Sequence, residues 1–140
     1  MSRLVLVACV LFVALSCAKR PPEYPEATGP IDWAAVAEEK VPVIATKDKD
    51  GDLRATKLWI VVVDGQGIIR TGRTYWLENI EQDPKVVLYI GGAAYPLRAE
   101  LIEDESLEER AQDAFREKYG WQDRLTWEPG WWRLMRLTAR

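Results

Sequence analysis

Basic and hydroxyl side chains cluster at the ends of two segments whose patterns are typical of neighbouring strands. The cluster comprises Arg54, Thr56 and Lys57 on one segment and Arg70, Thr71 and Arg73 on the other. The glycine-containing turn over residues 64–67 would bring the two segments together and carry Ile68 towards Val62. Guanidinium forks, hydroxyls and backbone freed by a glycine are groups that bind phosphate. The cluster therefore predicts a phosphate site, with a solvated rim of the sheet as the alternative.

Aromatic residues flank this basic cluster. The sequence contains seven tryptophans, of which Trp59 precedes the turn and Trp76, next to Tyr75, follows it. Core packing explains most of such a set, because each large ring buries much apolar area. A stacking surface for a flat ligand is the alternative, and it applies best to Trp76. Combined with the basic cluster, the rings predict a planar phosphorylated ligand.

The composition excludes several kinds of active site. The chain has no histidine, and its two cysteines, Cys9 and Cys17, both lie near the N-terminus. Ser106 is the only serine beyond Ser16. A disulfide framework, a serine or cysteine hydrolase with a histidine base, and zinc or haem held by histidine are therefore excluded. Carboxylate chemistry, tyrosine, or the chemistry of a bound cofactor remains.

Two acidic clusters have structural explanations. In the stretch over residues 48–52, three aspartates alternate around Gly51, but the glycine and the closing residue do not match a calcium-binding EF-hand loop. This stretch predicts a hairpin turn. The carboxylates of residues 103–109 precede a helix, where negative side chains interact favourably with the helix dipole. No metal site is expected.

The N-terminal segment has the features of a bacterial lipoprotein signal. Arg3 is followed by twelve apolar residues, Leu4–Leu15, which are fewer than the roughly 20 that a membrane-spanning helix needs. Such a run suits the core of a secretory signal. It leads into Ser16-Cys17, which resembles a lipobox. The sequence predicts a signal peptide over residues 1–16 and lipidation of Cys17.

A proline-rich stretch separates the signal from the folded part. Residues 17–30 contain four prolines and few apolar side chains, so they predict an extended tether. Ala18 stands where an inner-membrane retention signal would have Asp, which favours the periplasmic face of the outer membrane in a Gram-negative cell. The expected location is the cell envelope, with the membrane contacted through the N-terminal lipid.

The remaining residues, 31–140, predict one domain large enough to bury its own core. The whole chain is mildly acidic, with a net charge of −3, so no nucleic-acid partner is expected. Residue patterns predict, in order, a helix capped by Asp32, three strands, a helix, two strands, a helix capped by Ser106 and a closing strand. The second of the three strands carries Arg54 near its start and ends in the apolar run KLWIVVV. A short antiparallel sheet hides its edges by closing on itself. The predicted class is α+β: a six-stranded antiparallel β-barrel with flanking helices.

Several stretches resemble one known family. The run ATKLWIVVVDGQGIIRTGR, the run YWLENIEQDPKVVLYIGG and the ending FREKYG are similar to flavin-type split-barrel proteins of the FMN-binding superfamily. The branch they resemble most is that of the deazaflavin-dependent nitroreductase-like proteins and their bacterial relatives. The similarity covers roughly residues 41–120.

This resemblance implies a cofactor cleft and an activity. It implies that the six-stranded antiparallel barrel is a split β-barrel (Greek key). It also implies FMN or a deazaflavin as cofactor, reductase chemistry, and a homodimer. Its cofactor contacts would be Arg54, Thr56, Lys57, Trp59, Arg70, Thr71, Arg73, Tyr75 and Trp76. In particular, Arg70 and Arg73 would hold phosphate and Trp76 would pack on the ring. The alternative is a non-enzymatic envelope binding or interaction lipoprotein that kept the barrel and lost the cofactor. Two features favour this alternative: Lys57 stands in place of the family's proline, and the first hairpin turn is acidic.

Overall fold

The computed structural model describes residues 20–72, 74–126 and 132–140. In order, its helices and strands are α1 Trp33–Glu38, β1 Val43–Lys47, β2 Leu53–Lys57, β3 Ile60–Val63, β4 Gln66–Thr71, α2 Tyr75–Gln82, β5 Lys85–Ile90, β6 Ala93–Leu101, α3 Glu105–Tyr119, α4 Trp121–Thr126 and β7 Arg133–Ala139. The predicted signal peptide, the predicted lipidation site Cys17, and Arg73 lie outside the described residues. Within the described ranges, no helix has the length and hydropathy needed to cross a membrane.

The strands form one antiparallel sheet in the order β2-β1-β5-β6-β7-β4-β3. The two edge strands, β2 and β3, are consecutive in the chain and are joined only by Leu58 and Trp59. If the sheet were flat, its edges would be about 29 Å apart, whereas the chain from Lys57 to Ile60 spans at most about 11 Å. The sheet must therefore curl into a half-barrel whose edges approach each other.

The prediction of an α+β fold with an antiparallel sheet is confirmed, but the strand count differs. The strand that is predicted to carry Arg54 and to end in the apolar run KLWIVVV is interrupted at Leu58 and Trp59. Its two parts, β2 and β3, pair with β1 and with β4. At the interruption the N–H of Leu58 donates to the carbonyl of Pro42, at 3.1 Å. One predicted strand thus becomes two because it has to serve both edges of the curled sheet.

Two clusters of buried side chains lie on the two faces of the sheet. The first fills the inside of the curl and includes Ile44, Ile60 and Leu88, together with Val36 of α1. The second contains Val61 and Ile68 on the outer face, packed against Phe115 and its neighbours on α3. Alternate residues of β3 therefore face different cores, which explains why its sequence is continuously apolar.

Helix ends follow the predicted capping chemistry with one correction. The side chain of Asp32 caps α1 by accepting from the N–H of Ala34, at 3.0 Å, as predicted. The sequence predicts Ser106 as the cap of α3, but Asp104 accepts from the N–H groups of Ser106 and Leu107 instead. A carboxylate is the stronger acceptor and also offsets the positive end of the helix dipole.

The acidic turn between β1 and β2 is held by its own first carboxylate. Asp48 Oδ1 accepts from the N–H groups of Asp50 and Asp52, at 3.0 and 3.1 Å, and Gly51 adopts a φ of +86°. This confirms the predicted hairpin. In the following hairpin, Ile68 lies opposite Val61, one residue from the predicted Val62.

The segment that the sequence predicts to be a tether lies partly against the sheet. The N–H of Ala27 donates to the carbonyl of Ala94, and the N–H of Ala94 donates to the carbonyl of Pro25, both at 2.9 Å. Tyr24 meets Tyr89 edge to face, with ring centroids 6.2 Å apart. We call residues 24–31 the strap, because they run over the start of β6 towards α1.

Tyr119, at the end of α3, connects the helix to the gap between the edge strands. Its hydroxyl donates to the carbonyl of Lys40 at 2.7 Å and accepts from the N–H of Ile60 at 3.0 Å. Its ring stacks on Trp59, with centroids 4.2 Å apart and planes inclined by 6°. Burial raises the pKa of Tyr119, so the hydroxyl keeps its proton and remains a donor.

Replacing Tyr119 with Phe should therefore lower the free energy of unfolding by about 1–3 kcal/mol, because the N–H of Ile60 would lose its buried acceptor. Urea unfolding measures this difference. Tyr75→Phe is the matched control, since that ring is 76% exposed and should change stability little. Equal stability of the two variants would contradict the role assigned to the Tyr119 hydroxyl.

Candidate functional site

A cavity of about 240 Å³ opens where β2 gives way to β3 and β4 leads into α2. Its lining residues are Lys57, Leu58, Trp59, Arg70, Thr71, Gly72, Thr74, Trp76 and Trp132. The register explains this meeting, because Ile60 pairs with Ile69 and the next residues outward are Trp59 and Arg70. The curl of the sheet thus brings the two basic segments of the sequence to one place.

Three tryptophans form most of the apolar wall. Trp59 is fixed by its stacking on Tyr119, and Trp76 packs against the inner core from the first turn of α2. Trp132, just before β7, completes the wall and packs against the outer core. The cavity therefore has flat aromatic faces of the kind that bind a planar ring.

The Arg70 side chain lies under this wall rather than in solvent. Only 5% of the residue is exposed. Its guanidinium forms an ion pair with Asp123 of α4, which is 1% exposed, and donates to Gln112 Oε1 at 2.8 Å. The guanidinium carbon lies 4.3 Å from the ring centre of Phe115 and 4.6 Å from that of Trp132. Arg70 is thus held by a carboxylate, an amide and two aromatic rings.

This arrangement bears on the predicted role of Arg70. A buried guanidinium needs a compensating carboxylate, and Asp123 supplies one from within the chain. A phosphate at Arg70 would have to share or displace that carboxylate. The prediction that Arg70 holds phosphate stays a prediction, and the structure also gives the residue a clear role in shaping the cavity wall.

Sequence reasoning missed α4, Asp123, Gln112 and Trp132 as parts of this site. A usable signal was present, since Arg70 follows two buried isoleucines in a strand and a cation there requires a buried acid. Which acid could not be read from the sequence, because Asp123 lies 53 residues away in the chain.

The exposed mouth of the cavity carries positive potential. Lys57 lies at the end of β2 with an exposed side chain. Thr74 caps α2, so the positive end of that helix dipole starts at the cavity. The hydroxyl of Thr71 lies 3.0 Å from that of Thr74 and 3.0 Å from the Gly72 carbonyl. An ammonium, hydroxyls and a helix N-terminus together can receive an anion.

The remaining predicted site residues lie elsewhere. Arg54 and Tyr75 line a separate polar depression with Asp48 and other residues of the acidic turn. Thr56 pairs with Ile44 inside the first hairpin and does not line the cavity. The structure therefore brings together Lys57, Trp59, Arg70, Thr71 and Trp76, whereas Arg54, Thr56 and Tyr75 stand apart from them.

None of the described residues that line the cavity carries a carboxylate, and the Asp123 carboxylate behind its wall neutralises Arg70. Among the described residues, no three acidic, histidine or cysteine side chains come together to hold a metal ion. These side chains supply binding surfaces, so redox or group-transfer chemistry would come from a bound cofactor.

Comparison with known proteins identifies the fold. No family model matches the chain. No curated protein matches it either. Among solved structures, a conserved hypothetical protein of Mycobacterium tuberculosis is 20% identical, with a TM-score of 0.64 over 87% of this chain and 86% of that one. A FAD-binding protein of Mesorhizobium loti is 17% identical, with a TM-score of 0.58 over 76% and 86%.

A third similar structure is that of a protein named for heme and not for a flavin. HutZ, the heme storage protein of Vibrio cholerae, is 16% identical, with a TM-score of 0.61 over 74% of this chain and 83% of that one. At such identities the likeness shows a shared fold. The split-barrel fold expected from the sequence is thus also that of flavin-binding and haem-binding proteins. A fold of this kind does not by itself decide the ligand.

Removing the carboxylate of Asp123 should destabilise the domain strongly. Asp123→Ala leaves the Arg70 guanidinium buried and uncompensated, which should cost about 3–5 kcal/mol in the free energy of unfolding. Chemical denaturation measures the loss. Asp113→Ala is the control, because it breaks an exposed ion pair with Arg116 and such pairs contribute little. Similar losses in the two variants would refute the importance of the buried pair.

Proposed function

We propose that this protein binds a planar phosphorylated cofactor, a flavin or a deazaflavin, and acts as a reductase of the split-barrel type attached to the cell envelope. The observation that carries the proposal is the cavity itself: three tryptophans, Trp59, Trp76 and Trp132, stand beside a cationic mouth formed by Lys57 and the start of α2. An aromatic slot next to an anion-binding edge suits a flat ring with a phosphate tail.

The size of the cavity indicates which part of the ligand would lie inside it. Pockets for drug-sized ligands usually measure about 300–1,000 Å³. The cavity's volume of about 240 Å³ is somewhat smaller. It would accommodate the ring system, while the phosphorylated tail would extend past Lys57 and Thr74 towards solvent. Arg70 would then support the aromatic wall, and its predicted contact with phosphate would be secondary.

A bound flavin or deazaflavin would supply the hydride chemistry, since the chain's own side chains around the cavity are suited to binding. The tryptophans would hold the ring and keep water from one part of it. Thr71 and Thr74 would offer hydroxyls to polar edges of the ligand. The resemblance of the sequence to deazaflavin-dependent nitroreductase-like proteins supports the deazaflavin as one of the two cofactor candidates.

Haem is the less suitable ligand, although a similar structure is named a heme storage protein. The chain contains no histidine, and histidine is a common axial ligand of haem iron. The tyrosine nearest in sequence to the cavity, Tyr75, lines a different depression. A flavin needs no axial ligand and therefore fits the residues better.

The second candidate function is a non-enzymatic envelope protein that kept the barrel and lost the cofactor. One observation favours it: the Arg70 charge is compensated by Asp123, which leaves Lys57 as the exposed cation among the described residues that line the cavity. A single ammonium and a helix end would bind phosphate weakly. The following experiment distinguishes the two functions.

Titration with FMN and with riboflavin should separate ring binding from phosphate binding. We expect saturable quenching of tryptophan fluorescence by both, with FMN bound more tightly. Lys57→Met should weaken FMN binding by about 1–3 kcal/mol, the scale of a lost charged hydrogen bond, and leave riboflavin binding nearly unchanged. Lys85→Met, an exposed lysine at the start of β5, is the matched control.

The outcomes decide between the two functions. Saturable binding by FMN or by the deazaflavin cofactor, sensitive to Lys57, supports the reductase proposal and justifies assays with reducible substrates. Linear quenching with no saturation by either cofactor, after correction for ligand absorbance, would reject it and favour the interaction lipoprotein. If a Trp76→Phe variant showed the same quenching of tryptophan fluorescence, the proposed packing of Trp76 on the flavin ring would be contradicted.

The envelope location rests on the lipobox-like sequence that ends at Cys17. Cys17→Ser in the full chain should abolish incorporation of labelled fatty acid and move the protein from the membrane fraction to the soluble fraction. A Cys9→Ser variant is the control, because Cys9 lies within the predicted signal. Equal labelling of both variants would refute lipidation at Cys17.

A further inference from the structure

A second cavity lies between the strap and the last two strands of the sequence. Its volume is about 470 Å³, larger than that of the cavity described above. The strap and α1 supply one wall through Pro30, Ile31 and Trp33, and the sheet supplies the other through Leu97 of β6 and Leu137 of β7. We call it the strap cavity. It shares no lining residue with the tryptophan-lined cavity.

The walls of the strap cavity are mainly apolar and rigid. Trp33 packs so closely on Gly67 that a Cβ at that glycine would lie 2.1 Å from the indole ring. The strap is fixed by its two hydrogen bonds with Ala94. By contrast, a Cβ placed on Gly29, which also lines the cavity, would have no atom within 4 Å. The cavity is thus open space bounded by fixed walls, of a volume typical of small-molecule pockets.

One cation stands at the rim. Arg140 lines the cavity, and its guanidinium is held by backbone carbonyls: Nε donates to Leu97 at 3.1 Å and Nη2 to Val86 at 2.8 Å. None of the four ion pairs found among the described residues includes Arg140. Among the described residues, two backbone carbonyls accept from this guanidinium, which leaves three of its five N–H groups for a ligand. A positioned cation of this kind favours a carboxylate.

From these features we propose that the strap cavity binds a small amphiphile with an apolar body and a carboxylate head. The apolar body would lie between Trp33 and the leucines of the sheet, where removing its CH₂ groups from water favours binding. The carboxylate would meet the Arg140 guanidinium at the rim. This site does not depend on the cofactor proposed for the other cavity, because the two sets of lining residues are separate.

The test uses 10-bromodecanoate as the probe and tryptophan fluorescence of the purified protein as the readout. Bromine quenches an indole that it contacts, and Trp33 is the tryptophan that lines the strap cavity among the residues that the structure describes. We expect saturable quenching that Trp33→Phe removes. Trp121→Phe, a matched variant of a 69% exposed ring on α4, should leave the saturable quenching in place.

Two further variants test the site and keep Trp33, whose fluorescence reports binding. Gly29→Leu should raise the Kd at least tenfold, because Gly29 lines the cavity and a larger side chain there would take up part of its volume, while its Cβ meets no atom within 4 Å. Ala34→Leu, at an exposed position of α1, is its control. Arg140→Gln should weaken bromodecanoate about tenfold and 10-bromodecanol less than twofold, the loss expected for one charged contact. Arg136→Gln, in strand β7 just before Arg140, should change neither.

Each outcome supports or overturns the proposal. Saturable quenching lost in Trp33→Phe and Gly29→Leu supports binding in the strap cavity. Absence of saturation up to millimolar probe, or the same quenching in Trp33→Phe, overturns it. Equal affinity for the acid and the alcohol, with no effect of Arg140→Gln, overturns the carboxylate head. Failure of FMN to bind the other cavity would leave these results unaffected, so the two proposals fail independently.

Discussion

The buried cation of Arg70 is the constraint on which the arrangement of the tryptophan-lined cavity depends. A guanidinium that is almost fully buried is tolerated only when an acid and hydrogen-bond acceptors surround it. Asp123 and Gln112 meet that need, and in doing so they tie α4 and α3 to the end of β4. Phe115 and Trp132 then cover the guanidinium from the sides. One ion pair thus holds three elements, α3, α4 and β4, around a single wall.

A second constraint comes from the sheet. Because β2 and β3 are consecutive yet lie on opposite edges, the chain at Leu58 and Trp59 must close the curl. Trp59 is therefore placed at the gap, where Tyr119 stacks on it and bonds to the adjacent backbone of Ile60. The gap cannot be filled by regular strand pairing, so side chains fill it, and a cavity remains between them. The same closure that completes the fold produces the site.

The sequence predicts local features of this protein better than long-range ones. The Asp32 cap of α1, the Asp48 turn and most strand boundaries follow from rules that act over a few residues. The clustering of Lys57, Trp59, Arg70 and Thr71 was also predictable, because a hairpin fixes which residues face each other. The partner of Arg70 was not, since Asp123 meets it only through the packing of a helix that carries few periodic apolar positions. Nor did the proline-rich composition of the strap reveal its hydrogen bonds with Ala94, because backbone pairing needs no particular side chain.

One strand, β4, contributes lining residues to both cavities. β4 begins at Gln66, which lines the strap cavity, and ends at Arg70 and Thr71, which line the other. These ends are separated by about 17 Å, the rise of five strand residues. Near its start, Gly67 lets Trp33 pack against the strand backbone. At its other end, the buried Arg70 forms an ion pair with Asp123. A one-residue slip of β4 would remove both fits together, since it would turn every side chain to the opposite face. The register of β4 is therefore fixed at both ends by side-chain contacts in the walls of the two cavities. A change that weakens this part of the sheet would also change the shape of both cavities.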